Sequence, residues 1–497
     1  MYSTMRTLES LLYDISVFIT GASILIVEIL ASRIVAPFIG TSLIAWTSII
    51  GVVLASLSAG YYIGGILADK KAHKNHLALI ILSGAAAIVL LELIRTPLLS
   101  SLTSSIYNIK LQSVLVSILL FAPFSFLLAM VSPYTLRLDL KDIEHTGRTS
   151  GRLSALSTFG SIAGTFLSGF LLIPYFSTST ILLSLATMLT LLSLAMCSSV
   201  FLKKISLLFF AFVAITTIIT FSPVSAIDTH ILAERNTPYH AVQVVQYTDN
   251  DGNDRRSLKT DRFTIQSSMY ANEPNRLASE YLRIFDVAKS YTSSVSSTLL
   301  IGGGTYSYPK HFLEKYPEAH MDVIEIDPGL TAIAQEYFFL EDSERMDIFH
   351  QDGRTFLQSS NQQYDAIYLD AFLSFFSIPF HLTTEEFANE LYSSLEDHGA
   401  VVINLIDNTD DTETPSFLDA MVKTYESVFP YVDIYQVEQV SFGTVHAGNI
   451  VLVAAKQERD MSTAHAYMPT PFSPHTEAPI LSDDFAPVDQ YILRLFD

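Results

Sequence analysis

The sequence predicts a multi-pass α-helical membrane domain followed by an α/β domain that begins with a small β unit. Three observations lead to this prediction. Seven apolar runs fill the first 226 residues, most acidic residues follow them, and strand-like runs alternate with helix-like runs from about residue 296. We therefore expect a membrane domain at 1–226, a small β-rich segment at 227–290 and an α/β domain at 291–497.

Charge is divided unevenly along the 497 residues. The chain has 29 Lys and Arg and 50 Asp and Glu; residues 1–226 hold 13 and 8 of these, and residues 227–497 hold 16 and 42. We expect no nucleic-acid partner, because nucleic acid binds through Lys and Arg patches. An acidic surface attracts cations such as polyamines, although it can also serve solubility alone. Cys197 is the only cysteine, so no internal disulfide can form.

The apolar runs predict the membrane domain, since each is near the roughly 20 residues that a helix needs to cross a bilayer. We place them at about 15–37, 43–68, 76–99, 114–138, 150–177, 179–202 and 205–226. The first is not a cleaved signal peptide, because it is long, contains Glu28 and Arg33, and lacks a small-residue cleavage site. The lipid bilayer is therefore an expected partner, with the protein in the cell (inner) membrane.

The charge of the short loops predicts the orientation of these helices. Basic loops follow the second, fourth and sixth runs: "ADKKAHKNH", "RLDLKDIEHTGR" and the pair Lys203 and Lys204. Short basic loops stay in the cytoplasm, so the N-terminus should be cytoplasmic. Seven crossings then leave the C-terminal domain on the non-cytoplasmic side, and one helix more or fewer reverses that conclusion.

Some features of the first half also suit a transporter. The segment "GYYIGGILADKK" at residues 60–71 resembles the loop after the second helix of major-facilitator transporters. Glu28 lies within a span, where an ionisable group is costly and often functional. Pairing with Arg33 or a hydrogen bond between helices would equally explain it. Gly160 and Gly164 fit close packing of two helices.

The second half changes to strand patterns. Residues 239–270 alternate apolar and polar around an Asn-Asp-Gly-Asn turn, which indicates a small antiparallel β unit. The alternation that follows is typical of βαβ units on a parallel sheet. Strands are expected near 297–301, 321–326, 346–350, 364–370 and 399–405, with an antiparallel edge hairpin at 431–438 and 449–455.

Candidate binding residues follow four successive strands, at the edge of a parallel sheet where ligands bind. Gly302, Gly303 and Gly304 would let a ligand approach the backbone. Glu325 could take both hydroxyls of a ribose. Asp352 could accept from an adenine amino group or cap a helix starting near Gly353, and Asp370 would point into the same crevice. The candidate ligand-binding residues are therefore Gly302, Gly303, Gly304, Glu325, Asp352 and Asp370.

The glycine segment favours a particular nucleoside. It is not a G-x-G-x-x-G fingerprint, because Tyr306 and Ser307 occupy the later positions, and no Walker lysine follows. An adenosine of the S-adenosylmethionine type therefore fits better than a dinucleotide or a triphosphate.

Five segments together resemble the spermidine synthase (polyamine aminopropyltransferase) family. They are "LLIGGGTYSYPKHFLEKYP", "VIEIDPGL", "DGRTFL", "YDAIYLDAF" and "HLTTEEFANEL". The resemblance covers about residues 235–455 and is nearest to membrane-fused members, often labelled fused transporter/spermidine synthase. The tail "LSDDFAPVDQY" is also similar to these fusions. The resemblance implies the spermidine synthase fold, a Rossmann-like sheet of the class I methyltransferase type.

The resemblance also implies an activity and its residues. Family members transfer an aminopropyl group from decarboxylated S-adenosylmethionine to an amine such as putrescine, without a metal. Asp370 would orient and deprotonate the amine. The nucleoside-binding residues would be Gln266, Gly302, Gly303, Gly304, Glu325, Asp352 and Gly353. A small-molecule amine or other acceptor is the implied partner, and a homodimer stays open.

Three departures from the family pattern leave the reaction open. Thr305 stands where the family has an acid that contacts the donor's ammonium. A second family acid falls on Leu373, and the family's Tyr-His-Glu segment has no clean counterpart near "ASEYLRIFD". A more apolar acceptor is therefore an alternative. So are a methyltransferase that uses S-adenosylmethionine itself, and a transporter or binding protein whose soluble domain only senses a nucleoside.

Overall fold

The computed structural model divides the chain into two compact units, residues 1–227 and residues 228–497. The structure describes residues 2–39, 43–106, 108–140, 146–221, 231–237, 239, 241–260, 265–372, 378–407, 414–437, 440–442, 445–460 and 467–494.

The first unit is helical. Its helices are α1 (Tyr2–Ile39), α2 (Leu43–Lys71), α3 (Lys74–Ser105), α4 (Ile109–Ala129), α5 (Val131–Asp139), α6 (Thr146–Leu167), α7 (Ile173–Tyr175), α8 (Thr178–Met196) and α9 (Val200–Phe221), with a π-helical segment at Ser168–Leu172. In the described residues, seven helical stretches are long and apolar enough to cross a membrane. They are Glu9–Ala36, Leu43–Lys71, Lys74–Leu102, Ile109–Asp139, Thr146–Tyr175, Thr178–Met196 and Val200–Thr217. These correspond to the seven predicted runs.

Glycines bring the helices of this unit into close contact. A Cβ on Gly160 would lie 2.2 Å from the carbonyl oxygen of Phe18, and one on Gly164 would lie 2.5 Å from that of Ala22, so α6 packs directly against the backbone of α1. Gly60 of α2 approaches α4 in the same way, since its Cβ would lie 2.4 Å from the Phe126 carbonyl oxygen. Gly160 and Gly164 are thus packing positions, as the sequence predicted.

Several ionic groups of the first unit are paired. Arg95 of α3 forms a salt bridge with Glu92 at 3.0 Å, and Ser179 of α8 donates to the same carboxylate at 2.7 Å. Arg152 of α6 contacts Asp139. These pairs reduce the cost of placing charges among apolar helices.

The second unit begins with the predicted small antiparallel sheet. Its strands, in spatial order, are β1 (Ile231–Asn236), β2 (Ala241–Thr248), β3 (Asp254–Lys259) and β4 (Ser267–Tyr270). Gly252 has φ +82° in the turn between β2 and β3, a conformation that glycine adopts without strain.

A larger mixed sheet follows, with strand order β10-β12-β9-β8-β5-β6-β7 and β11 paired to β12. Its strands are β5 (Ser297–Ile301), β6 (His320–Ile324), β7 (Met346–Phe349), β8 (Tyr364–Leu369), β9 (Leu395–Asp407), β10 (Tyr431–Gln436), β11 (Val440–Phe442) and β12 (Val445–Ala455). Strands β5 to β9 are parallel, and β12 is antiparallel to β9 and β10. This is the predicted Rossmann-like arrangement with a late antiparallel pair; residue 438 of that pair lies outside the described residues.

Helices cover both faces of this sheet, so its strands are apolar on both sides. They are α10 (Glu280–Ile284), α11 (Ser307–Lys315), α12 (Pro328–Tyr337), α13 (Gly353–Ser359), α14 (Glu385–Ser393), α15 (Phe417–Glu426) and α16 (Val488–Arg494). Alternate residues of β8 enter two different apolar cores. Tyr368 packs with Phe285 and Phe312, while Leu369 belongs to the core that contains Phe387.

Candidate active site

Strands β5 and β8 are neighbours in the sheet. The strands that follow β5 in the chain, β6 and β7, lie on one side of it, and β8 and β9 lie on the other. Parallel sheets bind ligands at such a reversal of strand order. Gly302 follows β5 with φ +101°, and a Cβ there would lie 2.3 Å from the carbonyl oxygen of Asp370. The Asp370 amide donates to the Ile301 carbonyl at 2.9 Å. Only glycine permits this contact, which brings the glycine loop beside Asp370.

Glu325, at the end of β6, organises the glycine loop. Its Oε2 accepts from the amides of Gly303 and Gly304 at 3.0 and 3.1 Å, and its Oε1 accepts from the amide of Asp327 at 2.9 Å. A carboxylate offers about four acceptor sites, so one site, on Oε1, has no partner among the described residues. The role of Glu325 toward the ribose hydroxyls stays a prediction, and the three amides that it accepts show that it also holds the glycine loop.

The protonation of Glu325 reflects a balance of two effects. The side chain is buried, and burial raises its pKa. The amides of Asp327, Gly304 and Gly303 oppose this shift, because they stabilise the ionised form, but the net pKa remains raised. The loop conformation and the charge of Glu325 are therefore coupled.

Asp352, after β7, caps helix α13. Its Oδ1 accepts from the amide and the hydroxyl of Thr355 at 3.0 and 3.1 Å, and its Oδ2 accepts from His381 Nε2 at 2.9 Å. Partial burial acts to raise its pKa, but the bonds from Thr355 and His381 outweigh it, so the pKa is lowered. The predicted helix cap is confirmed. Within the described part of the chain, one acceptor site on Oδ2 has no partner.

Gly353 lets the start of helix α13 pack against the end of β5. A Cβ on Gly353 would lie 2.5 Å from Cγ2 of Ile301, at the end of β5. The cap of α13 therefore sits directly over the strand that leads into the glycine loop.

Asp370, at the end of β8, is held at both oxygens. Asn404 Nδ2 donates to Oδ1 at 2.9 Å, and the Tyr281 hydroxyl donates to Oδ2 at 3.1 Å. Asn404 is oriented in turn by Asn449, whose Nδ2 donates to its Oδ1 at 2.9 Å. Burial raises the pKa of Asp370, while the bonds from Asn404 and Tyr281 partly offset that shift. A carboxylate of this kind can accept a proton from a bound amine.

Sequence reasoning missed Tyr281 and Asn404. Tyr281 lies within "ASEYLRIFD", where no clean family counterpart was seen, yet its hydroxyl reaches Asp370. Asn404 is a buried polar residue within the apolar run of β9, and an isolated amide in a buried strand is the signal that could have identified it.

Gln266 and Thr305 lie where β4 meets the glycine loop. The Thr305 hydroxyl is buried and lies 2.5 Å from Ser267 Oγ and 2.8 Å from Ser307 Oγ. Hydroxyls therefore surround the position at which the family has an acid. The Oε1 of Gln266 is buried and has no hydrogen-bond partner among the described residues, as expected of a group that meets a ligand donor.

Two apolar side chains at the strand ends remain exposed. Ile326, next to Glu325, is 36% exposed, and Phe349, at the end of β7, is 37% exposed. Small-molecule sites combine apolar side chains with a few polar groups in this way.

Leu373 falls outside the described residues. Within the described part of the chain, one group has ligand atoms close enough to hold a metal ion: His320, Asp322 and Asp347. It lies at the amino ends of β6 and β7, the opposite edge of the sheet from Asp370, and Tyr364 already donates to Asp322 at 2.8 Å.

Known proteins match the second half of this chain. Residues 281–459 match the family model described as the spermine/spermidine synthase domain. The polyamine aminopropyltransferase of Vibrio vulnificus (strain CMCP6) is 30% identical over 224 residues, which is 44% of this chain and 72% of that protein. The probable polyamine aminopropyl transferase of Bifidobacterium longum (strain NCC 2705) is 28% identical over 203 residues, 41% of this chain and 43% of that protein.

A solved structure is similar as well. A probable spermidine synthase from Corynebacterium glutamicum ATCC 13032 has a TM-score of 0.39 and 22% identity, covering 46% of this chain and 80% of that chain.

Proposed function

The chain belongs to the polyamine aminopropyltransferase family and is a transferase, and from this we propose that its second unit transfers an aminopropyl group from decarboxylated S-adenosylmethionine to a small amine such as putrescine. The observation that carries the proposal is the setting of Asp370. It is a carboxylate of raised pKa beside the glycine loop, fixed by Tyr281 and Asn404.

The crevice supplies acceptors for the nucleoside. The free acceptor site on Glu325 Oε1 would take a ribose hydroxyl, and that on Asp352 Oδ2 would take the adenine amino group. The unpaired oxygen of Gln266 would meet a donor of the same ligand. Ile326 and Phe349 would contact the faces and edges of the adenine ring.

The chemical step needs a free amine near the donor. The amine nitrogen attacks the aminopropyl carbon bound to the sulfonium sulfur, a C–N bond forms as the C–S bond breaks, and the sulfur keeps the bonding pair. Neutral methylthioadenosine leaves, and Asp370 accepts the proton that the nitrogen loses. Because sulfonium is already a good leaving group, positioning and electrostatics should supply most of the rate.

The surroundings of Thr305 support one alternative, a methyltransferase that uses S-adenosylmethionine. Ser267 and Ser307 contact the Thr305 hydroxyl, and no acid stands at this position to contact an aminopropyl ammonium. Transfer of a methyl group would use the same crevice.

We also propose that the first unit anchors the enzyme in a lipid bilayer. Its seven long apolar helical stretches support this role. An acceptor amine carried on an apolar molecule at the membrane surface would suit this arrangement.

Product analysis of the full-length protein tests the reaction. With decarboxylated S-adenosylmethionine and putrescine we expect methylthioadenosine and spermidine in equal amounts, measured by mass spectrometry. Formation of S-adenosylhomocysteine from S-adenosylmethionine would instead establish a methyltransferase. Nucleoside binding without turnover of either donor would leave a binding protein and overturn the enzymatic proposal.

A further inference from the structure

The tail segment, residues 481–488, is docked onto the α/β domain next to helix α13. Leu481 is buried in the core that contains Phe387, and its carbonyl accepts from the amide of Glu385 at 2.8 Å. Its own amide donates to the Thr424 hydroxyl at 2.9 Å. Val488 is buried in the same core. The proposed reaction assigns no role to this segment.

Within the tail segment, Asp483 forms a two-pronged bond with Arg354, the second residue of α13. The Arg354 guanidinium donates to Oδ1 and Oδ2 of Asp483 at 2.7 and 2.8 Å, and the Thr384 hydroxyl donates to Oδ1 at 2.8 Å. The Arg354 side chain is only 13% exposed, whereas Asp483 is 41% exposed. This bidentate geometry fixes the plane of the guanidinium.

Arg354 also contacts His381, the residue that hydrogen-bonds to Asp352. The nitrogen that bonds Asp483 Oδ1 also donates to the carbonyl of His381 at 3.2 Å. His381 Nε2 in turn donates to Oδ2 of Asp352 at 2.9 Å. A chain of polar contacts therefore runs from Asp483 through Arg354 and His381 to the Asp352 oxygen that has an acceptor site left.

We propose that Asp483 is a positioning residue for nucleoside binding, acting through Arg354 and His381 on Asp352. This inference rests on the proposed nucleoside role of Asp352. A single acceptor site on Oδ2 accepts an amino group well only if the carboxylate plane is fixed, since hydrogen bonds weaken steeply with angle. Thr355 holds Oδ1 and His381 holds Oδ2, so both are needed to fix that plane. Arg354, which Asp483 orients, in turn holds the carbonyl of His381. The carboxyl-terminal tail is thus part of the binding site without touching the ligand.

We expect the fold to survive the loss of the Asp483 charge. Arg354 Nε donates to both oxygens of Glu390 at 3.0 and 3.3 Å, so its charge stays paired. The buried contacts of Leu481 and Val488 do not depend on Asp483. The change in Asp483→Asn should therefore be local.

Calorimetric titration of the full-length protein with methylthioadenosine, and with its analogue lacking the 6-amino group, tests the inference. Asp483→Asn should weaken methylthioadenosine binding roughly three- to tenfold, because it removes a charged hydrogen-bond partner that is partly screened by solvent. Binding of the analogue should stay unchanged, since the analogue gives Asp352 nothing to accept. A general loss of structure would weaken both ligands equally. The matched control is Asp484→Asn, which removes the same charge one residue later and should change neither affinity.

A second comparison uses Asp352. In an Asp352→Ala background, Asp483→Asn should have no further effect on methylthioadenosine affinity, because the two residues act on one contact. If Asp483→Asn does not fold, Arg354→Lys loses the two-pronged geometry, keeps the charge, and should show the same selectivity. Wild-type protein that does not bind methylthioadenosine overturns the proposed function together with this inference. Two results overturn the inference alone, provided that the wild-type protein binds methylthioadenosine. In the first, Asp483→Asn changes the affinities for methylthioadenosine and for the analogue equally. In the second, Asp483→Asn weakens methylthioadenosine binding as much in the Asp352→Ala background as in the wild type.

Discussion

At the scale of single residues, Asp370 combines a fixed orientation with a raised pKa. Asn404 and Tyr281 orient its two oxygens, and burial stabilises its protonated form. The residue is therefore suited to take a proton rather than to bind a cation by charge alone. Substitutions at and around Asp370 separate these roles.

Replacing Asp370 with Asn keeps its size and removes its basicity. We expect Asp370→Asn to lower turnover by roughly 10²–10⁴, the usual contribution of a positioned general base, with methylthioadenosine affinity nearly unchanged. Single-turnover assays and calorimetry measure the two quantities. Asp347→Asn, at the opposite edge of the sheet, is the control and should alter neither. Loss of nucleoside binding in Asp370→Asn would show that the residue is a ligand anchor.

The pKa of Asp370 predicts the acid limb of the pH–rate profile. Only the ionised carboxylate can accept the proton, so turnover should fall as pH drops through the folded-state pKa. Because burial raises that pKa, the fall should begin above the pH at which an ordinary aspartate titrates. Asn404 stabilises the ionised form, so Asn404→Leu should move the limb to still higher pH. The exposed Asn389→Leu should leave it in place, and an unmoved limb in Asn404→Leu would contradict this assignment.

The residues that the sequence revealed are those with a local signal. Glu325, Asp352 and Asp370 each follow an apolar strand, and parallel strands bring such positions to one edge. Asn404 and Tyr281 reach Asp370 only through the tertiary fold, from 34 residues after it and 89 residues before it. No spacing in the sequence around Asp370 predicts its contacts with Asn404 and Tyr281.

At the scale of elements, strand identity was predictable and strand edges were less so. The parallel strands β5 to β8 lie within two residues of their predicted positions, because apolar runs define them. The predicted start of β9 at residue 399 is wrong by four residues, since the strand begins at Leu395. The polar residues and Gly399 in "LEDHGA" resemble a turn, yet pairing of Leu395 with Tyr364 extends the strand through an irregular register.

Helix contacts in the first unit give a prediction for two glycines of α6. A Cβ on Gly160 would lie 2.2 Å from the Phe18 carbonyl oxygen, whereas nothing lies within 4 Å of one on Gly151. We expect Gly160→Ala to destabilise the protein by about 1–3 kcal/mol through overpacking. Gly151→Ala should be neutral or stabilising by up to about 1 kcal/mol, because alanine favours a helix. Thermal unfolding in detergent measures both, and equal effects would contradict the observed α1–α6 contact.

At the scale of the whole molecule, the sequence predicted two parts because composition changes abruptly near residue 226. Long apolar runs and an acidic α/β half have such different patterns that each could be identified alone. The loop charges predict that the α/β domain lies outside the cytosol, which raises the question of how a nucleoside made in the cytosol would reach it. The answer depends on the number of membrane crossings.

The seventh candidate span, which lies in helix α9, decides that number. Helix α9 runs for 22 residues, Val200–Phe221, about 33 Å at 1.5 Å per residue, which is enough to cross a hydrocarbon core of about 30 Å. Lys203 and Lys204 at its start should stay in the cytoplasm with the other basic loops. Reporter fusions at Lys71 and Arg148 should therefore report cytoplasm, and a fusion at Ala226 should report the opposite side. A cytoplasmic signal at Ala226 alone would mean an even number of crossings, with α9 lying along the membrane or folding back. The α/β domain would then face the cytosol, where its proposed donor is made, and the expected location outside would be wrong.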